Sequence, residues 1–240
     1  MKKTTLIVAL AAVLVVPLSA AAATPCGDVN NSGKVTSSDA LLVLKDAVGQ
    51  SVQLVCPASG GLPSTGQTTC YDAAGNGISC IGTGQDGELQ RGGDRTFTDN
   101  GDGTITDDAT GLMWEKLSAD ASIHDVGSTW TWTDAVASKI ATLNSDNFAG
   151  HHDWRLPNEF ELYTLVDLGA PPPSTYPEFN ACMAGCTVET CNCTSSTVYW
   201  SSTTYAVKTS NAWGINFVGG PTNNVGKADL YNVRAVRGGS

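Results

Sequence analysis

The stretch Thr96-Phe-Thr-Asp-Asn-Gly-Asp-Gly-Thr-Ile-Thr-Asp107 has alternating residues on both sides of Asp102-Gly103. Alternation with a period of two is typical of strands, and an Asp-Gly pair favours a tight turn between two of them. Three carboxylates lie close together, at Asp99, Asp102 and Asp107, but their spacing does not fit a twelve-residue calcium loop. We therefore expect an antiparallel hairpin here rather than a calcium site.

Two amphipathic helices are expected after this hairpin. The first covers 132–144, with Thr131 or Thr133 as its N-cap. Its apolar residues recur at helical spacing, at Trp132, Val136, Ile140 and Leu143. The second begins at Asn158, which has Glu161 three residues on, the spacing of a capping box. Its expected buried face consists of Phe160, Leu162, Leu165 and Val166.

The last part of the chain changes to residues that are typical of strands. Three segments rich in β-branched and aromatic residues, at 198–205, 212–218 and 231–237, are separated by clusters of Gly, Asn and Pro. A hairpin, two helices and a series of strands is the element order of an α+β fold. We therefore predict an α+β domain at 68–240, which is long enough to bury its own core.

Residues 1–23 have the composition of a secretory signal peptide. Lys2 and Lys3 precede an apolar run at 6–18, and the small residues at 20–23 form a cleavage site. The run is shorter than the roughly 20 residues that span a bilayer. We expect the mature chain to start near Thr24 and to contain no transmembrane segment. We expect it to be secreted, periplasmic or on the cell surface. The alternative is a retained membrane anchor.

Two short segments precede the large domain. Residues 24–56 form a small module bracketed by Cys26 and Cys56, and residues 57–67 form a linker rich in Pro, Gly and Ser. Within the linker, Leu62-Pro-Ser-Thr-Gly66 matches a sortase motif, but such motifs lie beside a C-terminal apolar tail, and here a whole domain follows. A module of this size ordinarily needs a disulfide or a metal ion in order to fold.

The small module contains the pattern of an EF-hand-like calcium loop at 28–39. Oxygen donors fall at the ligand positions of the loop, and Gly33 falls at its sharp turn. The expected ligands are Asp28, Asn30, Ser32, the Lys34 carbonyl, Thr36 and Asp39. A helix with Leu41, Leu44 and Val48 on one face is expected to follow. Because two ligands are carboxylates, we expect a Ca²⁺ affinity of about 10⁻⁴ to 10⁻³ M, which suits a structural ion.

All eight cysteines follow the signal peptide, and in an exported chain this predicts disulfides. Two pairs are expected, Cys26 with Cys56 and Cys70 with Cys80. Of the remaining four, Cys191 and Cys193 are expected to bond to Cys182 and Cys186, in an order that the sequence leaves open. A thiolate metal site is the alternative for these four, but the paired C-x₂-C spacing of such sites is missing.

The chain is acidic, with 23 Asp and Glu against 13 Lys and Arg and a net charge of −10. Without Lys2 and Lys3 the balance is 11 basic to 23 acidic residues, or −12. Such a chain is repelled by phosphate backbones, so nucleic acid is not an expected partner. No G-x-S-x-G elbow, P-loop, H-E-x-x-H motif or pair of carboxylates suited to glycoside hydrolysis is recognisable. We therefore do not expect an enzyme.

Six blocks of the chain are familiar when taken together. They are Thr65-Gly-Gln-Thr-Thr-Cys70, Phe97-Thr-Asp-Asn-Gly-Asp-Gly-Thr-Ile-Thr-Asp107, Thr110-Gly-Leu-Met-Trp114, Asp153-Trp-Arg-Leu-Pro-Asn158, Tyr199-Trp-Ser-Ser202 and Val233-Arg-Ala-Val-Arg-Gly238. In this order they resemble the Lcl C-terminal domain family, over about 65–240. The resemblance implies a C-type-lectin-like α+β fold, with two helices flanking a small antiparallel sheet, and a binding role at cell surfaces.

The adhesin for which that family is named binds sulfated polysaccharides, but the negative charge of this chain opposes such a ligand.

The small module resembles half of a type I dockerin, whose repeat is a calcium loop followed by a helix. A full dockerin has two repeats, and a second D-x-N-x-[DS]-G is missing here. The chain is also similar to formylglycine-generating enzymes in its Trp-Arg-Leu-Pro and Val-Arg-Gly segments. Cys186 and Cys191 could form the redox pair of such an enzyme, but its Trp-rich context is missing.

Candidate ligand-binding residues lie near one tryptophan. Most tryptophans of a single domain should be core, and Trp213 has the least core-like context. The candidate ligand surface is Trp213 with Asn211, Asn223 and Asn224.

His151 and His152 are adjacent, so they point to opposite sides of an extended segment, and we expect them to be solvated. We expect a binding or adhesion protein for a polysaccharide or surface glycan. The alternative is a structural component of an extracellular assembly with a protein partner.

Overall fold

A computed structural model describes Leu41, Leu44, Lys45, Val48 and residues 63–238. The chain separates into two compact units, Met1–Pro57 and Ala58–Ser240. Several sequence predictions lie outside the described residues: the signal peptide at 1–23, the calcium loop at 28–39, the Cys26–Cys56 bridge and the linker residues 57–62. None of the described helices is long and apolar enough to cross a lipid bilayer.

The described part of the first unit is helical. Leu41 and Leu44 have helical backbones, and the Val48 amide donates to the Leu44 carbonyl oxygen at 3.1 Å. This is the segment in which the sequence predicts the helix of the small module. The side chains of all three residues are exposed, although the sequence pattern places them on the packed face of that helix.

The second unit begins with a segment that is anchored to the domain. Residues 63–67, which the sequence analysis assigns to the linker, lie against it: the Ser64 amide donates to the Gly93 carbonyl oxygen at 3.0 Å. Gly66 has a φ of 79°, and a Cβ at this position would lie 1.9 Å from Asp167 Oδ1. Only glycine fits this close approach.

A small hairpin and a short helix follow this segment. β1 (Cys70–Tyr71) pairs with β2 (Gly77–Ile78), and α1 (Asp86–Leu89) comes after them. The disulfide expected between Cys70 and Cys80 closes the hairpin.

The hairpin predicted around Asp102-Gly103 is present and belongs to a four-stranded antiparallel sheet. β3 (Phe97–Asp99) pairs with β4 (Thr104–Asp107) across a four-residue turn. β5 (Met113–Glu115) and β9 (Val236–Arg237) complete the order β3-β4-β5-β9. The sheet therefore joins the start of the domain to its end.

The three aspartates of the hairpin make separate structural contacts. Asp99 and Asp102 accept hydrogen bonds from amides of the turn, at 2.9 and 3.1 Å. Asp107 is fully buried and pairs with Arg95. These contacts agree with a hairpin rather than a shared calcium site.

The first predicted helix, α2, consists of three continuous segments: Trp132–Asp134, the π-helical Ala135–Ile140 and Ala141–Ser145. Thr131 is its N-cap, because its side chain accepts a hydrogen bond from the Asp134 amide. A π-helical turn closes one residue later than an α-helical turn, which rotates the positions within it around the axis. The prediction that Val136 is buried is therefore wrong, and Lys139 is buried instead.

The second predicted helix, α3 (Glu159–Tyr163), has the expected capping box. Asn158 Oδ1 accepts a hydrogen bond from the Glu161 amide at 2.9 Å, and Glu161 Oε2 accepts one from the Asn158 amide at 2.7 Å. Three of the predicted core residues are buried: Leu162, Leu165 and Val166. The placement of Phe160 in the core is wrong, since this side chain is 84% exposed. It lies two residues before Leu162, so the two point to different sides of the helix.

A three-stranded antiparallel sheet occupies the C-terminal part of the domain. β6 (Val198–Thr204), β7 (Asn211–Asn216) and β8 (Thr222–Gly226) lie in the order β6-β7-β8. The predicted strands at 198–205 and 212–218 correspond to β6 and β7. The predicted strand at 231–237 is reduced to β9, because Tyr231 and Asn232 make isolated bridges to other segments. β8 is not among the strands predicted from the sequence.

Apolar clusters lie on both faces of this second sheet. Tyr199 and Trp200 are consecutive in β6, so their side chains point to opposite faces. Tyr199 belongs to a cluster that includes Leu162 of α3. Trp200 belongs to a cluster that includes Ala135 of α2. The short antiparallel sheets and few helices form an α+β architecture, as predicted.

Two more disulfides stabilise the loop before β6. Cys182 bonds to Cys193 and Cys186 to Cys191, which gives the pairing that the sequence left open. The described residues include no free cysteine. Three of these sulfurs lie within 4.8 Å of one another, but a bonded cysteine offers no thiolate to a metal ion.

Candidate functional site

Trp213 lies in β7, beside the area that α3 covers. Alternation along the strand places Asn211, Trp213 and Ile215 on one face of the sheet. Ile215 is fully buried in the cluster that contains Leu162 of α3. Trp213 lies one step further along the same face and is only half-buried. The end of α3 therefore leaves this tryptophan accessible.

Tyr205 fixes the orientation of Trp213. The two rings meet edge to face, with their centroids 5.0 Å apart and an interplanar angle of 71°. Both side chains are half-buried. Edge-to-face packing is a favoured arrangement of aromatic pairs, so it holds the indole in place while part of its surface remains free for a ligand.

Asparagine amides border this aromatic pair. Asn224 of β8 lies opposite Trp213 in the register and is exposed, and its Oδ1 accepts a hydrogen bond from Asn211 Nδ2 at 3.3 Å. Asn223 lies opposite Gly214, so its side chain points to the other face, where its Oδ1 is buried without a partner. The structure thus brings together three of the four candidate residues. We call Tyr205, Asn211, Trp213 and Asn224 the Trp213 surface.

A groove of about 260 Å³ lies between α3 and β8, lined by Glu159, Phe160, Tyr163 and Thr222. Phe160 is 84% exposed and Tyr163 is 40% exposed. They are three residues apart on α3, so they lie on the same side of the helix. We call this feature the α3 groove.

The α3 groove and the Trp213 surface lie on the same face of the sheet. Thr222 pairs with Ile215, and Asn224 pairs with Trp213. Alternation therefore puts Thr222 and Asn224 on the Trp213 side of β8. Two residues along a strand span about 7 Å, so the two features are neighbours.

Basic side chains are not clustered near either feature. Five of them form ion pairs with carboxylates: Arg95, Lys116, Lys139, Arg155 and Arg237. Arg234 is buried, and Lys227 lies over the Trp132 ring at 4.2 Å. Within residues 63–238, Arg91 and Lys208 are exposed outside these contacts, and Lys208 lies in the loop after Tyr205. A single lysine does not provide a site for a sulfated polyanion.

An ionic cluster lies in the interior of the domain. Glu115 of β5 is fully buried and contacts Lys139 Nζ, His124 Nδ1 at 2.7 Å and the Ala235 amide at 3.0 Å. Burial by itself raises the pKa of the Glu115 carboxyl, but the charge of Lys139 and the hydrogen bond to His124 outweigh this effect and lower the pKa to about 2. Burial also lowers the pKa of Lys139, against the opposing effect of Glu115. We call these three residues, Glu115, His124 and Lys139, the buried ion cluster. Their contacts hold elements of the fold together.

The other sequence candidates do not join these features. His152 is exposed, and its Nδ1 lies 2.7 Å from the Asn144 carbonyl oxygen. His151 is half-buried, and neither histidine belongs to a cluster of metal-ligating side chains among the described residues. The candidate calcium ligands lie outside the described residues: Asp28, Asn30, Ser32, Lys34, Thr36 and Asp39.

Five residues of the Trp213 surface and the α3 groove were not identified as site residues from the sequence: Glu159, Phe160, Tyr163, Tyr205 and Thr222. The sequence contains a signal for two of them, because Phe160 and Tyr163 have the spacing of neighbours on one helix side, and Leu162 lies on another. A short helix that buries Leu162 leaves both aromatic rings toward solvent. The contact between Tyr205 and Trp213 depends on the turn between β6 and β7 and has no sequence signal.

Comparison with known proteins identifies the family. Residues 103–237 match the Lcl C-terminal domain. The matched region covers more than half of the chain and includes both the Trp213 surface and the α3 groove. No curated protein matches the chain. The chain therefore belongs to the Lcl C-terminal domain family.

Proposed function

We propose that this protein is a secreted or cell-surface binding and adhesion protein that recognises a carbohydrate through the Trp213 surface. The observation that carries this proposal is the partly exposed Trp213, held by Tyr205 and bordered by Asn224. Aromatic rings stack on the apolar faces of sugars, and amides exchange hydrogen bonds with sugar hydroxyls. The combination suits a hydroxyl-rich ligand.

The family and the architecture support a C-type-lectin-like fold for this domain. Its sheets are small and antiparallel, and α2 and α3 pack on opposite faces of the second sheet. Export is supported by the signal-peptide pattern at 1–23 and by three disulfides, which persist in oxidising compartments. We propose that the protein acts outside the cytoplasm.

The proposed role of the small module at 24–56 is structural. A half-dockerin-like loop at 28–39 would bind Ca²⁺ and, with a Cys26–Cys56 bridge, would allow a module of this size to fold. We expect a chelator to lower the melting temperature of a 24–56 fragment in which the disulfide is intact. The measurement is a circular-dichroism melt in Ca²⁺ and in EGTA, with Asp28→Asn as the control that should no longer respond. Identical melting temperatures of the wild-type fragment in both buffers would contradict a structural role for Ca²⁺.

A second candidate function is that of a structural component of an extracellular assembly. The exposed apolar side chains of the α3 groove would suit a protein contact equally well. A formylglycine-generating-enzyme-like activity is the weaker alternative, because the Cys186–Cys191 pair is bonded and buried. It lacks the accessible thiol that such chemistry needs.

A glycan array distinguishes these functions. The mature chain from Thr24 onward is applied with and without Ca²⁺, and its association state is measured in parallel by light scattering. Saturable binding to a glycan supports the proposed function. If no glycan on the array is bound and the chain self-assembles, the structural role is favoured.

A further inference from the structure

We infer that the α3 groove is a second sugar subsite and that, with the Trp213 surface, it binds an extended, uncharged polysaccharide. This inference rests on the proposed function and adds a site and a ligand class to it. The ligand would be a chain of β-linked pyranose rings, whose equatorial substituents leave flat apolar faces for stacking.

The exposure of two aromatic rings on α3 is the first observation that supports this subsite. Burial of a large apolar side chain is favourable, so an exposed aromatic pair needs a reason. Phe160 is 84% exposed and Tyr163 is 40% exposed, and both line the groove. Their neighbour Leu162 is fully buried, so the domain core does not need either ring. A ligand that stacks on them would cover this apolar surface.

The polar groups of the groove fit hydroxyl groups. Glu159 provides a carboxylate acceptor, and Thr222 provides a hydroxyl that both donates and accepts hydrogen bonds. An aromatic surface with a few polar groups at its edge is the common composition of sites for small organic ligands. The groove has this composition on the scale of one or two sugar rings.

Charge determines which glycans fit. Glu159 is the one charged residue among the four that line the groove, and it is acidic. Two nearby basic side chains are neither in an ion pair nor buried: Lys208 lies in the loop after Tyr205, and Lys227 donates to Thr204 Oγ1 and lies over the Trp132 ring. Sulfates and uronates would face Glu159 without a matching cation, in a chain of net charge −10. An uncharged glycan meets no such repulsion.

The spacing of the two features favours an extended ligand. They lie on one face, about 7 Å apart along β8, which is comparable to the length of one hexose. A monosaccharide occupies one of them, and a chain of two or more linked rings reaches both. Occupying two linked subsites raises affinity, because the second contact forms within the first complex.

Calorimetric titration of the mature chain tests this inference. The probes are glucose and cellohexaose, N-acetylglucosamine and N-acetylated chitohexaose, and a heparin hexasaccharide. The variants are Phe160→Ala, Trp213→Ala and, as a control for loss of an exposed apolar side chain, Ile81→Ala, because Ile81 is 89% exposed in the turn after β2. Phe160 is mostly exposed, so its removal should leave the melting temperature unchanged.

We expect an uncharged hexasaccharide to bind at least about tenfold more tightly than its monosaccharide. Phe160→Ala should weaken hexasaccharide binding about tenfold, as truncation of a central aromatic contact does, and should leave monosaccharide binding at the Trp213 surface unchanged. Ile81→Ala should bind like the wild type. Loss of binding in Trp213→Ala with no effect of Phe160→Ala would overturn the second subsite and leave the proposed function intact. Binding of the heparin probe alone would overturn the uncharged ligand class. Failure of every probe would count against both proposals.

Discussion

Replacing Glu115 by glutamine is expected to lower the free energy of unfolding by about 3 to 5 kcal/mol, as found when one partner of a buried ion pair is removed. Glu115 Oε1 faces Lys139 and His124, and Oε2 accepts a hydrogen bond from the Ala235 amide. The NH₂ group of a glutamine must face one of these hydrogen-bond donors. Two donors then face each other without an acceptor between them, which is unfavourable. The substitution also leaves Lys139 charged and uncompensated in the interior.

This contribution of Glu115 should depend on pH. Its pKa is about 2 in the folded protein, against an ordinary value of 4.5. A depressed carboxyl pKa contributes stability that is fully present above about pH 4.5 and is lost as the pH falls toward 2. The stability difference between wild type and Glu115→Gln should therefore be largest near pH 7 and shrink below pH 4.5.

Urea denaturation at pH 7 and pH 3 measures both effects. The matched control is Asp153→Asn, which breaks the more exposed Asp153–Arg237 pair and should change stability by no more than about 1 kcal/mol. Equal losses in Glu115→Gln and Asp153→Asn would contradict the role given to the buried ion cluster. A difference that grows as the pH falls would contradict the direction of the pKa shift.

Arg234→Met is the second substitution with a large expected effect, a loss of about 4 kcal/mol. The guanidinium is buried and donates to the Glu115 carbonyl oxygen, the Cys193 carbonyl oxygen and two side-chain oxygens, over 2.6 to 2.9 Å. It thereby ties β5 to the disulfide-bonded loop that ends near Cys193. Methionine fills similar space but removes these four hydrogen bonds from buried or partly buried acceptors.

The control for Arg234→Met is Arg155→Met. Arg155 is partly exposed and pairs with Glu161, so water can replace its contacts and the cost should be smaller. Urea titrations of both variants give the comparison, and an unchanged m-value shows that the folded states are alike. A loss below about 1 kcal/mol for Arg234→Met would contradict the assigned role of this arginine.

Local sequence signals predicted the elements better than they predicted burial. The capping box at Asn158 and the hairpin at Asp102-Gly103 are encoded within a few residues, and both are present. Val136 and Phe160 were misplaced because the predictions assumed uninterrupted α-helical periodicity. The π-helical turn in α2 shifts Val136 to the surface, and Phe160 points to a different side of α3 from the buried Leu162.

Long-range features carried no usable signal. β8 has the sequence Thr-Asn-Asn-Val-Gly, which favours a turn when considered alone, and only pairing with β7 makes it a strand. The buried ion cluster joins Glu115 to His124 and Lys139, residues that three different segments contribute. Trp213 and Asn224 were selected by context, and their proximity depends on a register that the sequence does not specify.

The central claim is that the Trp213 surface binds carbohydrate. The most direct test is titration of wild type, Trp213→Ala and Trp132→Ala with the best glycan found on the array, below the melting temperature of each. Trp132 is a matched control, because it is another half-buried tryptophan whose indole N–H is bonded to the Ser201 carbonyl oxygen. We expect saturable glycan binding that Trp213→Ala abolishes and Trp132→Ala retains. Equal glycan binding by wild type and Trp213→Ala would contradict it.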